Sequence, residues 1–307
     1  MKKLKFVVAL TNNDNDYQIE QAAVAEKAAQ RLGIEAQIIH ANNDAVFQSQ
    51  QIVKIVQSPD PPSGIIVEPV GGTALPQVAR AAVAAGIAWV VLNRDAEYIS
   101  ELRKAYRVPV LSVTSDHEEI GRLQGQQLKA LLPNGGSILH IQGPAESLAA
   151  KQRAAGMNHT KPASVDVKVI KAQWTEASSH KAVTSWLRLS TSRQSQVNVI
   201  AAQDDSMAMG ARKAFQELPD TAARDHWLRL PFIGIDGVPT TGQAWVRSGL
   251  LTATVIVPAN SGQALETLSQ ALQHGSMPPE QILIAPRSYP SVEELSSKAV
   301  RTRSQSV

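Results

Sequence analysis

The chain has 307 residues, 43% of them hydrophobic and 19% charged, with a net charge of +3 and no cysteine. This composition supports an ordinary buried core and excludes a disordered chain, and the length suggests two domains. The lack of cysteine excludes disulfides, thiolate metal sites and a cysteine nucleophile.

The amino terminus, MKKLKFVVAL, starts basic, but its apolar run extends only from Phe6 to Leu10 before the polar TNNDND. A secretory signal needs a longer apolar region and a small-residue cleavage site, so Leu4 to Leu10 is read as a first strand. On this reading no export signal is visible, and no apolar run approaches a membrane span. Short Val- and Ile-rich runs then alternate with helical patterns. KFVVAL, AQIIH, GIIVEP and AWVVL are the strand candidates of the first half, and SILHIQG, VKVIKAQ, VNVIAAQ and FIGID those of the second. Their nearly continuous hydrophobicity is expected of parallel strands covered on both faces. Asp16 is expected to cap a helix with Ile19, Ala22, Ala23 and Leu32 on its apolar face, stopped by Gly33. Asp44 is expected to cap a second, with Phe47, Ile52 and Ile55 inward, ending before Pro59. Asp204 or Asp205 would cap SMAMGARKAF. LTATVIVP then gives a strand, ANSGQALETLSQALQHG a helix and QILIAP a last strand. The pattern occurs twice, over roughly residues 4–115 and 116–256. The expected fold is α/β: two similar doubly wound parallel-sheet domains joined by several chain crossings, with a cleft between them. Lys298, Arg301 and Arg303 make the only local excess of positive charge, read as a solvated tail rather than a nucleic-acid contact.

Polar groups recur where the strands end. Asn12 to Tyr17 follow the first strand and Asn93, Arg94 and Asp95 the fourth. Gln142, Trp174, Gln203 to Asp205 and Asp236 follow strands of the second half. Ligands of open α/β sheets bind outside the carboxyl ends of strands, so this recurrence points to a ligand set. Carboxylates and amides suit vicinal hydroxyls, and the flat faces of Tyr17 and Trp174 suit the C–H face of a sugar ring. Enzyme signals are poor. There is no G-x-S-x-G elbow, no G-x-x-x-x-G-K phosphate loop and no H-x-x-x-H pair, and nothing in the sequence activates Glu68 or Asp95. Asn12, Asp14 and Asp16 begin with calcium-loop spacing, but Tyr17 and Ala23 stand where its Gly and Glu belong. GGTAL, from Gly71 to Leu75, could open a helix whose amides bind an anion. No catalytic residue, metal or cofactor is expected.

These stretches carry a resemblance. VVALTNNDNDYQ, GIIVEPVGGTAL, GIAWVVLNRDA, VTSDHEEIGRLQGQQL, HIQGPAESLAAKQRAAGM, AAQDDSMAMGARKAF and FIGIDGVPTTGQAWVRSGLLTATV resemble the type I periplasmic sugar-binding proteins, the ribose-binding-protein group. That group shares its fold with the ligand-binding half of lactose-repressor-type regulators, and the resemblance covers nearly all of the chain. It implies ligand contacts from Asn15, Asp16 and Tyr17, with Gln18 where a second aromatic is often found. It implies further contacts from Asn93 and Arg94 (an Asp-Arg pair in the family), Arg153, Trp174, Asp204 and Asp236. The Gln often found near the late crossing has no counterpart in ATVIVP. Three crossings, near Ser115, Ile256 and Ala285, would divide the chain into an N-terminal domain of 1–115 plus 257–285 and a C-terminal domain of 116–256 plus 286–307. The implied function is capture of a sugar or sugar-like polyol by hinge closure, for delivery to a membrane ABC transporter. The alternative is a ligand sensor, cytoplasmic or periplasmic, that reports to a regulatory partner. A monomer without a nucleic-acid partner is expected. The resemblance implies the periplasm, while the lack of a visible signal leaves the cytoplasm open.

Overall fold

The computed structural model describes residues 3–70, 75–94, 96–189 and 196–297. Asp95, Gly71 to Ala74 and the basic tail, all singled out above, lie outside them. The chain divides into two compact units, Met1–Ser115 with Ala259–Ile284, and Asp116–Pro258 with Ala285–Val307. Among the described residues no helix is long and apolar enough to cross a membrane.

The first unit runs β1 (Lys5–Leu10), α1 (Asp16–Leu32), β2 (Glu35–His40), α2 (Ala45–Val56), β3 (Gly64–Val67), α3 (Leu75–Ala84), β4 (Ala88–Leu92), α4 (Tyr98–Ala105) and β5 (Val110–Ser115). The second unit follows with α5 (His117–Leu131), β6 (Gly136–Gln142), α6 (Leu148–Thr160), β7 (Val165–Lys171), α7 (Glu176–Leu187), β8 (Val199–Ala202), α8 (Asp205–Gln216), α9 (Thr221–Arg229), β9 (Phe232–Asp236), α10 (Gly242–Arg247) and β10 (Ala253–Ile256). The chain then returns to the first unit for α11 (Ser261–His274) and β11 (Gln281–Ile284), and ends in the second with β12 (Arg287–Tyr289).

Each unit holds one six-stranded sheet, in the orders β11-β5-β4-β3-β1-β2 and β12-β10-β9-β8-β6-β7. The first is parallel throughout. In the second only β12 runs antiparallel, against β10. In the first sheet the chain steps from β1 to β2 on one side and then to β3 on the other. In the second it steps from β6 to β7 and then to β8. Each reversal opens a crevice at the carboxyl ends of the two strands around it, where helices leave in opposite directions.

Alternation along the strands fills both faces of each sheet. In β1, Phe6, Val8 and Leu10 pack with Ala25, Leu265 and Leu268 of α1 and α11. Val7 and Ala9 face the other way, toward Ile65, Val78 and Trp89. Three expectations need correction. First, β2 and β7 are not covered on both faces: like β11, they are edge strands with alternating exposure. Second, β5 is fully buried although Ser112, Thr114 and Ser115 break its apolar run, and β12 has only three residues; neither was expected as a strand. Third, Asn15 rather than Asp16 caps α1, and the helix turns its Gln18 and Gln21 inward while Ile19 is 51% exposed. The inward amides have buried hydrogen-bond partners, which offsets the cost of burying them. In α2, Asp44 caps as expected and Ile52 is buried, but Phe47 is 40% exposed. Asp204 takes the cap position of α8.

In the second unit α5 and α6 nearly touch through their backbones. A methyl added at Gly121 would lie 2.0 Å from the Arg153 carbonyl oxygen, and one at Gly156 would lie 1.9 Å from that of Glu118. The missing side chains therefore set the height of α6, and with it the position of Arg153.

Candidate functional site

In the first unit the polar residues at the strand ends form one hydrogen-bonded cluster. Asn15 Oδ1 accepts from the backbone N–H groups of Tyr17 and Gln18, at 2.9 and 3.3 Å, which fixes the start of α1. Asp16 stands half-buried in that first turn, where a carboxylate complements the helix dipole. Gln18 Oε1 accepts from the N–H of Thr11 at 3.1 Å, just past β1, and Gln18 Nε2 donates to Glu68 Oε2 at 3.0 Å, just past β3. The side chain thus spans the β1/β3 crevice. Glu68 is 4% exposed. Its Oε2 also accepts from Asn93 Nδ2 at 3.2 Å, and its Oε1 lies 4.0 Å from Arg94 Nη1. Asn93 Nδ2 reaches the Tyr17 hydroxyl at 3.2 Å, and Arg94 Nη1 donates to the Asn93 carbonyl oxygen at 2.7 Å. Gln48 Nε2 donates to the Glu68 carbonyl oxygen at 2.8 Å, pinning the backbone at the end of β3.

In the second unit the cluster centres on Arg153, itself buried. Its Nη1 donates to the Gln203 carbonyl oxygen at 2.5 Å and lies 3.7 Å from Asp236 Oδ1. Its Nε faces His117 Nδ1 at 3.4 Å, and its guanidinium carbon sits 5.5 Å from the centre of the Trp174 ring. The Trp174 ring in turn covers Gly143. Gln203 ties the loops together: its Oε1 accepts from the N–H of Gly143 and its Nε2 donates to the Ala150 carbonyl oxygen, both at 2.9 Å. Asp204 Oδ1 accepts from the N–H of Met207 at 2.5 Å as the cap of α8. Asp205 faces inward, with Oδ1 accepting from the Thr254 hydroxyl and Oδ2 from the N–H of Gly237, both at 2.7 Å. It thereby holds the turn that presents Asp236.

Backbone strain coincides with these clusters. Among the described residues the non-glycine positions of positive φ are Asn42, Asn43, Asn93 (55°), Trp174 (59°) and Asp236 (106°). The last three are expected site residues. A bulky Trp in the left-handed region, and an Asp at 106°, persist only where the surroundings over-determine them, and such residues concentrate at functional sites.

The structure therefore brings Asn15, Asp16, Tyr17, Asn93 and Arg94 to one set of strand ends, and Arg153, Trp174, Asp204 and Asp236 to another. Glu68, raised in the sequence only as an acid that nothing activates, is the hub of the first cluster. Gln18 stands where an aromatic is often found and serves as a link. Near the late crossing, where ATVIVP offers no side-chain amide, Asn260 supplies one: it is fully buried and donates to Asn93 Oδ1 at 2.6 Å. Its partner is 167 positions away, so no local sequence signal marks it.

Two doubly wound sheets with buried amides and carboxylates, and with guanidiniums beside them, at their carboxyl strand ends define a protein of the open α/β ligand-binding class. The family model described as the periplasmic binding protein domain matches residues 6–276, and the chain belongs to that family. It is 23% identical over 278 residues to the ribose import binding protein RbsB of Escherichia coli, covering 89% of this chain and 86% of that protein. It is 29% identical over 216 residues to a xylitol-binding protein of Mycolicibacterium smegmatis, covering 68% of this chain but only 55% of that protein. An ABC transporter periplasmic solute binding protein from Actinobacillus succinogenes, solved with bound D-allose, superimposes with a TM-score of 0.80 at 19% identity, over 96% of this chain and 100% of that one.

Proposed function

We propose that the protein is a solute-binding protein for a neutral sugar or polyol, that the polar residues at the strand ends bind it, and that the ligand is released unchanged. The observation that carries this reading is the set Gln18, Glu68, Asn93 and Tyr17, a buried and mutually oriented group of acceptors and donors suited to hydroxyls. Charge argues for a neutral ligand. Arg94 stands by Glu68 and Arg153 by Asp236, so each guanidinium already faces a carboxylate, whereas a phosphate needs cationic donors free to meet it. The names of the relatives, which bind ribose and xylitol, support the same class. On this reading the protein acts as a monomer in the periplasm and passes its ligand to the permease of an ABC transporter.

A thermal-shift screen over pentoses, hexoses, polyols and sugar phosphates tests the reading. A ligand at about a hundred times its dissociation constant stabilises the fold by about 2.7 kcal/mol. The expected result is a shift with a neutral sugar or polyol that chromatography recovers intact. A shift confined to sugar phosphates, or conversion of the ligand, would contradict the proposal.

A further inference from the structure

Gln21 and Asn260 have no exposed surface, and neither belongs to the expected site. Gln21 lies in α1 one turn beyond Tyr17, and Asn260 stands at the start of α11, just after the chain re-enters the first unit. The two interlock. Gln21 Nε2 donates to Asn260 Oδ1 at 2.8 Å, and Gln21 Oε1 accepts from the N–H groups of Asn260 and Ser261 at 3.0 and 2.9 Å. Gln21 thus caps α11 from a neighbouring helix, a task the Asn260 side chain does not perform. Asn260 Nδ2 points instead at Asn93 Oδ1, at 2.6 Å, and at the Val113 carbonyl oxygen, at 2.9 Å. This contact settles which way the Asn93 carboxamide faces. With its oxygen held toward Asn260, its nitrogen meets Glu68 and Tyr17. The flipped carboxamide would set an N–H donor against the Asn260 donor and an oxygen against the Glu68 carboxylate.

We infer that Asn260 is a positioning residue for the ligand cluster: acting through Asn93, it fixes the orientation in which Glu68 and the Tyr17 hydroxyl are presented. The inference rests on the reading that this cluster binds a ligand. A fully buried polar network specifies one arrangement only when every member is paired, and Asn260 joins the strained Asn93 to two helices at once.

Two variants separate this role from simple support of the fold. Asn260→Ser removes the reach to Asn93. Asn260→Asp keeps the acceptor for Gln21 but sets a carboxylate against two carbonyl-type oxygens. Calorimetry with D-ribose, D-allose, xylitol and myo-inositol gives the affinity of each variant, alone and combined with Asn93→Ala. The side-chain amide signals of Asn93, assigned by their loss in Asn93→Ala, are followed by NMR without ligand. Asn260→Ser is expected to weaken the best ligand about tenfold, but less than about twofold when Asn93 is already Ala, and to shift the Asn93 amide signals. Asn260→Asp is expected to bind better at about pH 5 than at neutral pH, because protonation of the carboxyl restores one donor. Equal losses in both backgrounds, or unmoved Asn93 signals in Asn260→Ser, would overturn the inference. If no sugar of the panel binds the wild-type protein, the functional reading fails on its own, and the Asn93 signals still decide the role of Asn260.

Discussion

Gly143→Ala is a one-methyl test of how the second cluster is built. The residue follows β6 and lies beneath the Trp174 ring. A methyl there would stand 2.2 Å from Cζ2, 2.3 Å from Cη2 and 2.6 Å from Cε2 of the indole. Carbon atoms in contact prefer about 3.5 Å or more, so the ring must retreat by about 1 Å. Gly143 is not among the glycines of positive φ, so its backbone accepts Ala and the clash accounts for the effect. Overpacking of this kind costs about 1–3 kcal/mol, and the retreating ring also weakens its contact with the Arg153 guanidinium. The expected result is a loss of about 2 kcal/mol in urea unfolding and about tenfold in ligand affinity. A double-mutant cycle assigns the cause: with Trp174→Ala already in place, Gly143→Ala is expected to cost less than about 0.5 kcal/mol. The same cost with and without the indole would refute the reasoning.

Gly121→Ala reverses an ordinary rule. In an exposed helix Ala is favoured over Gly by about 1 kcal/mol, but here the methyl meets the Arg153 carbonyl oxygen, backbone that cannot yield without moving α6. Chemical unfolding is expected to show a loss of about 3 kcal/mol, and a stabilised variant would contradict the packing account. His140 gives the pH dependence. It is fully buried in β6, and burial first, then nearby Lys171, pushes its imidazole from 6.5 down to about 3. Above about pH 6.5 the folded and unfolded forms are both neutral; below it the unfolded chain takes up a proton that the folded chain refuses. Stability is therefore expected to fall by about 1.4 kcal/mol per pH unit between those limits, or about 3 kcal/mol by about pH 4.5. Urea midpoints of the wild type and His140→Asn measure it: the variant should lose this part of the acid slope, and an unchanged slope would exclude His140 as its source.

Much of the architecture was legible because central parallel strands must be apolar on both faces. AWVVL and FIGID could be read directly, and every residue of both is buried. The residues at their ends were legible for the same reason, since a polar group that follows such a run lies at the carboxyl edge of a sheet. What could not be read was pairing at long range. The register of β5 beside β4 buries Ser112 and Thr114, which read as breaks in an apolar run. Gln18 and Gln21 look like the solvent face of α1, yet they turn inward because Glu68 and Asn260, far along the chain, accept from them. A helix at a binding site departs from the binary pattern where its buried polar groups have partners.

The central claim is that the polar residues at the strand ends bind the ligand. Its most direct test is a calorimetric titration of the best sugar or polyol into the wild-type protein, Arg94→Ala and Asp236→Ala. One ligand per chain is predicted, and each variant should bind about tenfold more weakly or worse, since truncating a buried polar contact costs about 1–3 kcal/mol. Both variants should still unfold cooperatively. Wild-type affinity in both would contradict the account, because neither the guanidinium beside Glu68 nor the carboxylate beside Arg153 would then touch or orient the ligand.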